Sequence, residues 1–198
     1  MFVTFEGVDG SGKTTQAALL AEKLRREGRD VVETREPGGT ELGERIRELL
    51  LDGGAVSPWA EAALFAAARA ELVAHVIRPA IEQGADVVSD RYVDSSLAYQ
   101  GLARGLGLDQ VLELNLAAVG GLLPDRTALL VVPPAVAAAR RAPAGDRIER
   151  EGAEFTGRVE EAYREVARRF PERVLVFDGT RDPATLAHEI REQLRHVS

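Results

Sequence analysis

Eight residues near the start of the chain, Gly7-Val8-Asp9-Gly10-Ser11-Gly12-Lys13-Thr14, match the pattern G-x-x-x-x-G-K-[ST]. The chemistry of that spacing is phosphate binding. Glycines let successive backbone N–H groups curl around phosphate oxygens, and the N-terminus of the following helix adds a positive dipole end. Lys13 then reaches β- and γ-phosphate oxygens, and the Thr14 hydroxyl holds Mg²⁺. A chain of this composition, with 19 Gly, matches by chance roughly one time in a thousand. The plainer alternative, a glycine turn joining strand to helix, uses the same context: apolar Phe2–Phe5 ahead of the loop and an amphipathic stretch behind it.

A second set of residues lies at the end of another apolar segment, Val87-Val88-Ser89-Asp90-Arg91. Asp90 can support Mg²⁺ through water. Arg91 brings a planar guanidinium suited to a phosphate, which points to a second phosphorylated substrate; an ordinary ion pair at a strand end is the alternative. Guanine recognition through N-K-x-D is excluded, because Asn115 is the one asparagine and sits within Leu114-Asn115-Leu116. Phe65 and Arg69, at i and i+4, share a helix face and would place a flat ring beside a planar donor. Tyr92 and Tyr99, seven apart, also share a face. Core packing accounts for either pair equally well on spacing alone.

These residues need a scaffold. The chain has 198 residues, 45% hydrophobic and 29% charged, which suits one globular domain over residues 1–198. With no Cys and three unpatterned His, a disulfide framework and a zinc site are excluded. A net charge of −7 argues against broad binding to nucleic acid or to an anionic membrane, so any anion must be held locally. No targeting segment or long apolar span is apparent, and a cytoplasmic protein is expected. Short β-branched segments at Phe2–Phe5, Val31–Thr34, Asp86–Ser89, Ala128–Val132 and Val174–Phe177 read as buried strands. Between and after them, helices are expected at Lys13–Glu27, Glu41–Leu51, Pro58–Gln83, Asp109–Val119, Val136–Arg141, Ala153–Arg169 and Pro183–His196. This alternation predicts a doubly wound α/β fold, a five-stranded parallel sheet flanked by helices. Ala142–Gly145, flanked by Arg140, Arg141, Arg147 and Arg150, reads as a mobile basic lid over about 140–151.

The motifs together resemble one family. Phe5-Glu6-Gly7-Val8-Asp9-Gly10-Ser11-Gly12-Lys13-Thr14-Thr15-Gln16 is similar to the opening of thymidylate kinases. Thr34-Arg35-Glu36-Pro37-Gly38-Gly39-Thr40, Asp90-Arg91-Tyr92, Tyr99-Gln100-Gly101 and Asp146-Arg147-Ile148-Glu149 follow in the family's order. The resemblance implies a nucleoside-monophosphate-kinase-like phosphate-loop fold. It also implies transfer of the ATP γ-phosphoryl to dTMP with Mg²⁺, by a homodimer. Gly7 to Thr15, with Arg140 and Arg141, would bind ATP, and Thr14 and Asp90 the metal. Asp9 would lie near the acceptor sugar and phosphate, and Arg91 would grip that phosphate. Arg35 would line the same site beside a segment where the family often has a cis peptide. Phe65 would stack on thymine and Arg69 would hydrogen-bond it. Tyr99 would fill the space of a ribose 2′-OH, with Ser96 and Gln100 nearby.

Departures from the family pattern fall at Ser96, at Val131 and in the lid, which is about a residue short. The phosphate loop itself holds no arginine between Gly7 and Lys13, so the charge of the transition state must be met from elsewhere. Arg147 is the first candidate, followed by Arg141 and Arg140.

Overall fold

The computed structural model describes residues 1–140 and 146–194. Five strands, β1 (Phe2–Glu6), β2 (Val31–Arg35), β3 (Asp86–Asp90), β4 (Arg126–Val131) and β5 (Val174–Asp178), form one sheet in the order β2-β3-β1-β4-β5. Every pairing is parallel. Four strands run one residue beyond their expected ends, through Glu6, Arg35, Asp90 and Asp178. The hydrogen-bonded ladder continues where the apolar pattern stops, and two of these polar ends, Arg35 and Asp90, line the site. β4 is displaced instead, starting two residues earlier and ending one earlier.

Parallel neighbours need long crossovers, and the helices supply them. α1 (Lys13–Arg26) and α9 (Pro183–Leu194) cover one face, where Val3 and Phe5 pack with Leu20, Leu24, Leu186 and Ile190. The two-residue period of β1 sends Phe2, Thr4 and Glu6 to the other face. There Phe2 joins Leu72, Tyr92, Leu97 and Tyr163 in the larger core.

α2 (Glu41–Leu51) has its expected bounds, because the Thr40 hydroxyl caps it by accepting from Gly43 N at 3.0 Å. The helix expected over 58–83 is divided into α3 (Pro58–Leu72), a π-helical turn (Val73–Ile77) and α4 (Arg78–Glu82). Pro79 lacks an N–H, so the hydrogen-bond ladder re-spaces ahead of it. An unexpected helix, α5 (Val93–Ser96), runs on into a π-helical segment, Leu97–Ala103. α6 (Leu108–Val119), α7 (Pro134–Arg140), a 3₁₀ turn (Glu149–Glu151) and α8 (Gly152–Arg169) follow.

From β1 the chain crosses to β2, and from β3 it crosses back over β1 to β4. The crevice of such a sheet lies at the carboxyl ends of the two strands flanking that reversal, here β1 and β3.

Candidate active site

Those carboxyl ends, with β2, surround a cleft of about 260 Å³. The phosphate loop enters it from β1. Gly7 (φ 139°) and Gly10 (φ 86°) are required twice over: a Cβ would lie 2.5 Å from Leu130 O at the first and 2.4 Å from Ala137 O at the second. Val8 is buried beneath the loop. Gly12 opens α1, Thr14 and Thr15 stay exposed, and the buried Ser11 hydroxyl has no partner among the described residues. Lys13 is 6% exposed, with Nζ 2.8 Å from Asp9 Oδ1. Thr14 donates to Asp90 Oδ2 at 2.5 Å, while the buried Asp90 Oδ1 has no partner among the described residues.

Arg91 is the one non-glycine residue at positive φ (75°) among those described. Its left-handed backbone is held from three directions. Arg91 N donates to Phe5 O (2.9 Å), Ser89 Oγ donates to Arg91 O (2.7 Å), and Tyr92 N donates to Glu6 Oε1 (2.8 Å). The guanidinium donates through Nη2 to Asp9 Oδ1 at 2.7 Å and through Nη1 to Ser95 Oγ and Tyr163 Oη, both at 3.1 Å. One carboxylate, Asp9, therefore stands between Lys13 and Arg91. Arg35 donates to Pro37 O and Glu44, and the Glu36–Pro37 peptide is cis. Phe65, Ser96, Tyr99 and Gln100 complete the wall.

Two arginines, Arg69 and Arg147, do not line the cleft. Arg69 lies outside the cleft, 1% exposed, with four of its five N–H groups donating hydrogen bonds and the guanidinium paired to Glu36. Nε and Nη2 reach Glu36 Oε2 at 2.8 and 2.5 Å, Nη2 also reaches Tyr92 O at 2.9 Å, and Nη1 serves Ser96 Oγ and Asn115 Oδ1. A base contact would require one of these bonds to open. Arg147 is turned away from the cleft: Nη2 is 2.6 Å from the buried Glu61 carboxylate and Nε donates to Leu50 O at 2.7 Å. Arg140 ends α7 and donates to Gly179 O at 2.9 Å. Arg141 and most of the lid turn lie outside the described residues. Tyr92 and Tyr99 also part company, since Tyr92 is core, packed on Phe2, and Tyr99 lines the cleft.

The thymidylate kinase family model matches residues 5–190. The chain belongs to the thymidylate kinase family. It is 50% identical to a thymidylate kinase of Synechococcus sp. (strain JA-3-3Ab) over 96% of this chain and 93% of that protein. It is 52% identical to one from Thermomicrobium roseum over 96% and 91%. The crystal structure of thymidylate kinase from Ehrlichia chaffeensis superposes with a TM-score of 0.83 at 34% identity, covering 98% of both chains.

In this member of the family, electrostatics tie the cleft together. Burial alone would raise the Asp9 carboxyl, but Arg91 and Lys13 overcome it and hold Asp9 well below the usual carboxylate range. Burial and the neighbouring Arg91 push the Lys13 ammonium down, offset in part by Asp9 and Asp90. Burial takes the Tyr99 phenol up to about 12, so its hydroxyl keeps its proton. Sequence reasoning missed Arg47, whose Nη1 donates to Pro37 O at 3.0 Å on the cleft wall. It also missed Ser95, Tyr163 and the acid Glu6. The one available signal was a charged residue continuing the buried face of β1.

Proposed function

We infer that this chain transfers the γ-phosphoryl of ATP to dTMP, giving dTDP and ADP in dTTP synthesis. The observation that carries the reading is the Asp9 carboxylate shared by Lys13 and Arg91. A donor-phosphate cradle and an acceptor-phosphate grip open on one cleft, in a chain of this family. ATP phosphates would lie along Gly7–Thr15. Arg91, with Arg35 beside it, would take the dTMP phosphate, which displaces Asp9 as counter-ion and leaves that carboxylate for the sugar side. Phe65 would stack on the base, with Ser96 and Gln100 as its polar contacts. The residues fit Mg²⁺: the unpartnered Asp90 Oδ1 beside the Thr14 hydroxyl offers one carboxylate and one hydroxyl, and phosphates and water complete such a shell. When bound, the ion neutralises charge between the β- and γ-phosphates.

Catalysis by these residues is positioning plus charge stabilisation, with no covalent intermediate. Because Arg147 is committed to Glu61, the transition-state charge falls to Arg140 and the adjacent Arg141, on a lid spanning about 140–151 of a single kinase domain. Leu42 and Leu49 on α2 and Trp59 on α3 are exposed apolar side chains suited to a homodimer contact, which sedimentation would detect. Among the described residues no helix is long and apolar enough to cross a membrane, in keeping with a cytoplasmic enzyme.

The test is coupled ADP release from ATP with a panel of nucleoside monophosphates. dTMP should lead, and dUMP should trail by the ~1–3 kcal/mol that one methyl provides. UMP should be nearly refused, because Tyr99 fills the space beside C2′. CMP or AMP equal to dTMP would overturn the reading, and equal dUMP and UMP would remove the role given to Tyr99.

A further inference from the structure

We propose that Glu6 is a positioning residue for Arg91, fixing both its backbone turn and the direction of its guanidinium through Ser95 and Tyr163. The inference rests on Arg91 being the acceptor-phosphate arginine.

Glu6 is fully buried at the carboxyl end of β1 and does not line the cleft. A carboxylate in that position is costly unless its oxygens are occupied. Both are. Oε1 accepts from Tyr92 N (2.8 Å) and Ser95 N (3.2 Å); Oε2 accepts from Ser95 Oγ (2.6 Å) and Tyr163 Oη (2.8 Å). The two backbone contacts pin the chain directly after Arg91, whose left-handed φ of 75° needs such support.

The two hydroxyl contacts act on the side chain. Ser95 and Tyr163 each own one hydroxyl proton. An ionised Glu6 draws both protons to Oε2, which leaves oxygen lone pairs facing Arg91 Nη1, 3.1 Å from each. The guanidinium is thus held from behind by two neutral acceptors, and Nη2 is the end presented to Asp9. The charges then alternate: Glu6 negative, Arg91 positive, Asp9 negative, Lys13 positive. Of the two carboxylates only Asp9 lines the cleft, and it is the one that yields when a phosphate arrives.

Replacing Glu6 by Gln keeps the shape and reverses one end of the network. An amide NH₂ facing Ser95 and Tyr163 donates to both; one of their protons can go to the other hydroxyl, 3.0 Å away, but the second must turn toward a guanidinium that has only donors. Arg91 loses its backing while the base site is untouched.

The experiment measures Kd for dTMP and for thymidine by titration calorimetry at mildly alkaline pH, on wild type, Arg91→Ala and Glu6→Gln. Glu6→Gln should weaken dTMP roughly tenfold or more and leave thymidine within about twofold, the size of charge-assisted hydrogen bonds lost at the phosphate alone. Equal losses for both ligands would mean a merely structural role and would overturn the proposal, as would unchanged dTMP binding. Arg91→Ala separates the two levels. If it spares the preference for dTMP over thymidine, the phosphate assignment itself fails; if it lowers that preference and Glu6→Gln leaves it unchanged, only the inference about Glu6 fails. Should Glu6→Gln not fold, Tyr163→Phe cuts the same relay and should weaken dTMP about threefold with thymidine unchanged. No change in that variant counts against the proposal.

Discussion

The acceptor end of the cleft and the lid end solve the same problem in opposite ways. Each sets an arginine near a buried carboxylate inside a protein of net charge −7. At the acceptor end, Arg91 is braced from behind by Ser95 and Tyr163 and meets one exchangeable carboxylate, Asp9, on the cleft. At the lid end, Arg147 is bound to Glu61, which is 1% exposed and also grips Arg104 and Gln100. A buried carboxylate behind an arginine, acting through neutral hydroxyls, aims it. A buried carboxylate in direct contact, itself outside the cleft lining, holds it off the cleft. Arg69 belongs with Arg147: Glu36 holds it inside the protein.

Three measurements would break or sharpen that contrast. The largest effect should come from Arg69→Ala. Removing one partner of a buried pair leaves Glu36 with no counter-ion, at a cost of about 3–5 kcal/mol in denaturant unfolding. A loss under about 1 kcal/mol, with discrimination between thymine and other bases gone, would make Arg69 a ligand contact after all.

Arg147→Ala should come next. It should lower stability by ~1–3 kcal/mol, since Glu61 keeps Arg104 and Gln100, while kcat stays within about threefold. A fall in kcat of ~10²-fold at unchanged stability would return Arg147 to the transition state and erase the distinction between the two ends.

The third measurement reads a pH dependence. Burial and Asp94 push the Glu6 carboxyl from 4.5 up to about 7, against Arg91 and the hydroxyls of Ser95 and Tyr163; Tyr99 and Arg173 share the same field. Between those two values the folded state holds a proton that the unfolded chain has released. This carboxyl therefore costs stability progressively as pH rises through that window. Glu6→Gln lacks the term, so the stability of wild type relative to the variant should decline from pH 4.5 toward 7. A difference that stays flat, or that grows in favour of wild type, would contradict the raised value.

Much was legible in the sequence because it is local. The glycine spacing of residues 7–12, the strand ahead of it and Lys13-Thr14 behind it define a phosphate loop wherever the rest of the chain goes. The five strands could be read from β-branched runs, and Asp90-Arg91 from its place at the end of one. The bounds of α2 could be read as well, and the structure adds Thr40 as its cap. What could not be read is where the long cationic side chains point. Arg147 and Glu61 are 86 positions apart, Arg91 and Tyr163 72, Glu6 and Tyr163 157. An arginine reaches in any direction its stem allows, and the direction is chosen by the buried acceptor that folding brings within 3 Å or so of it. Residue type and spacing determined that this chain binds phosphates and belongs to an α/β sheet. Only tertiary structure decided which arginines face the cleft, because that choice depends on counter-ions delivered from other strands and helices.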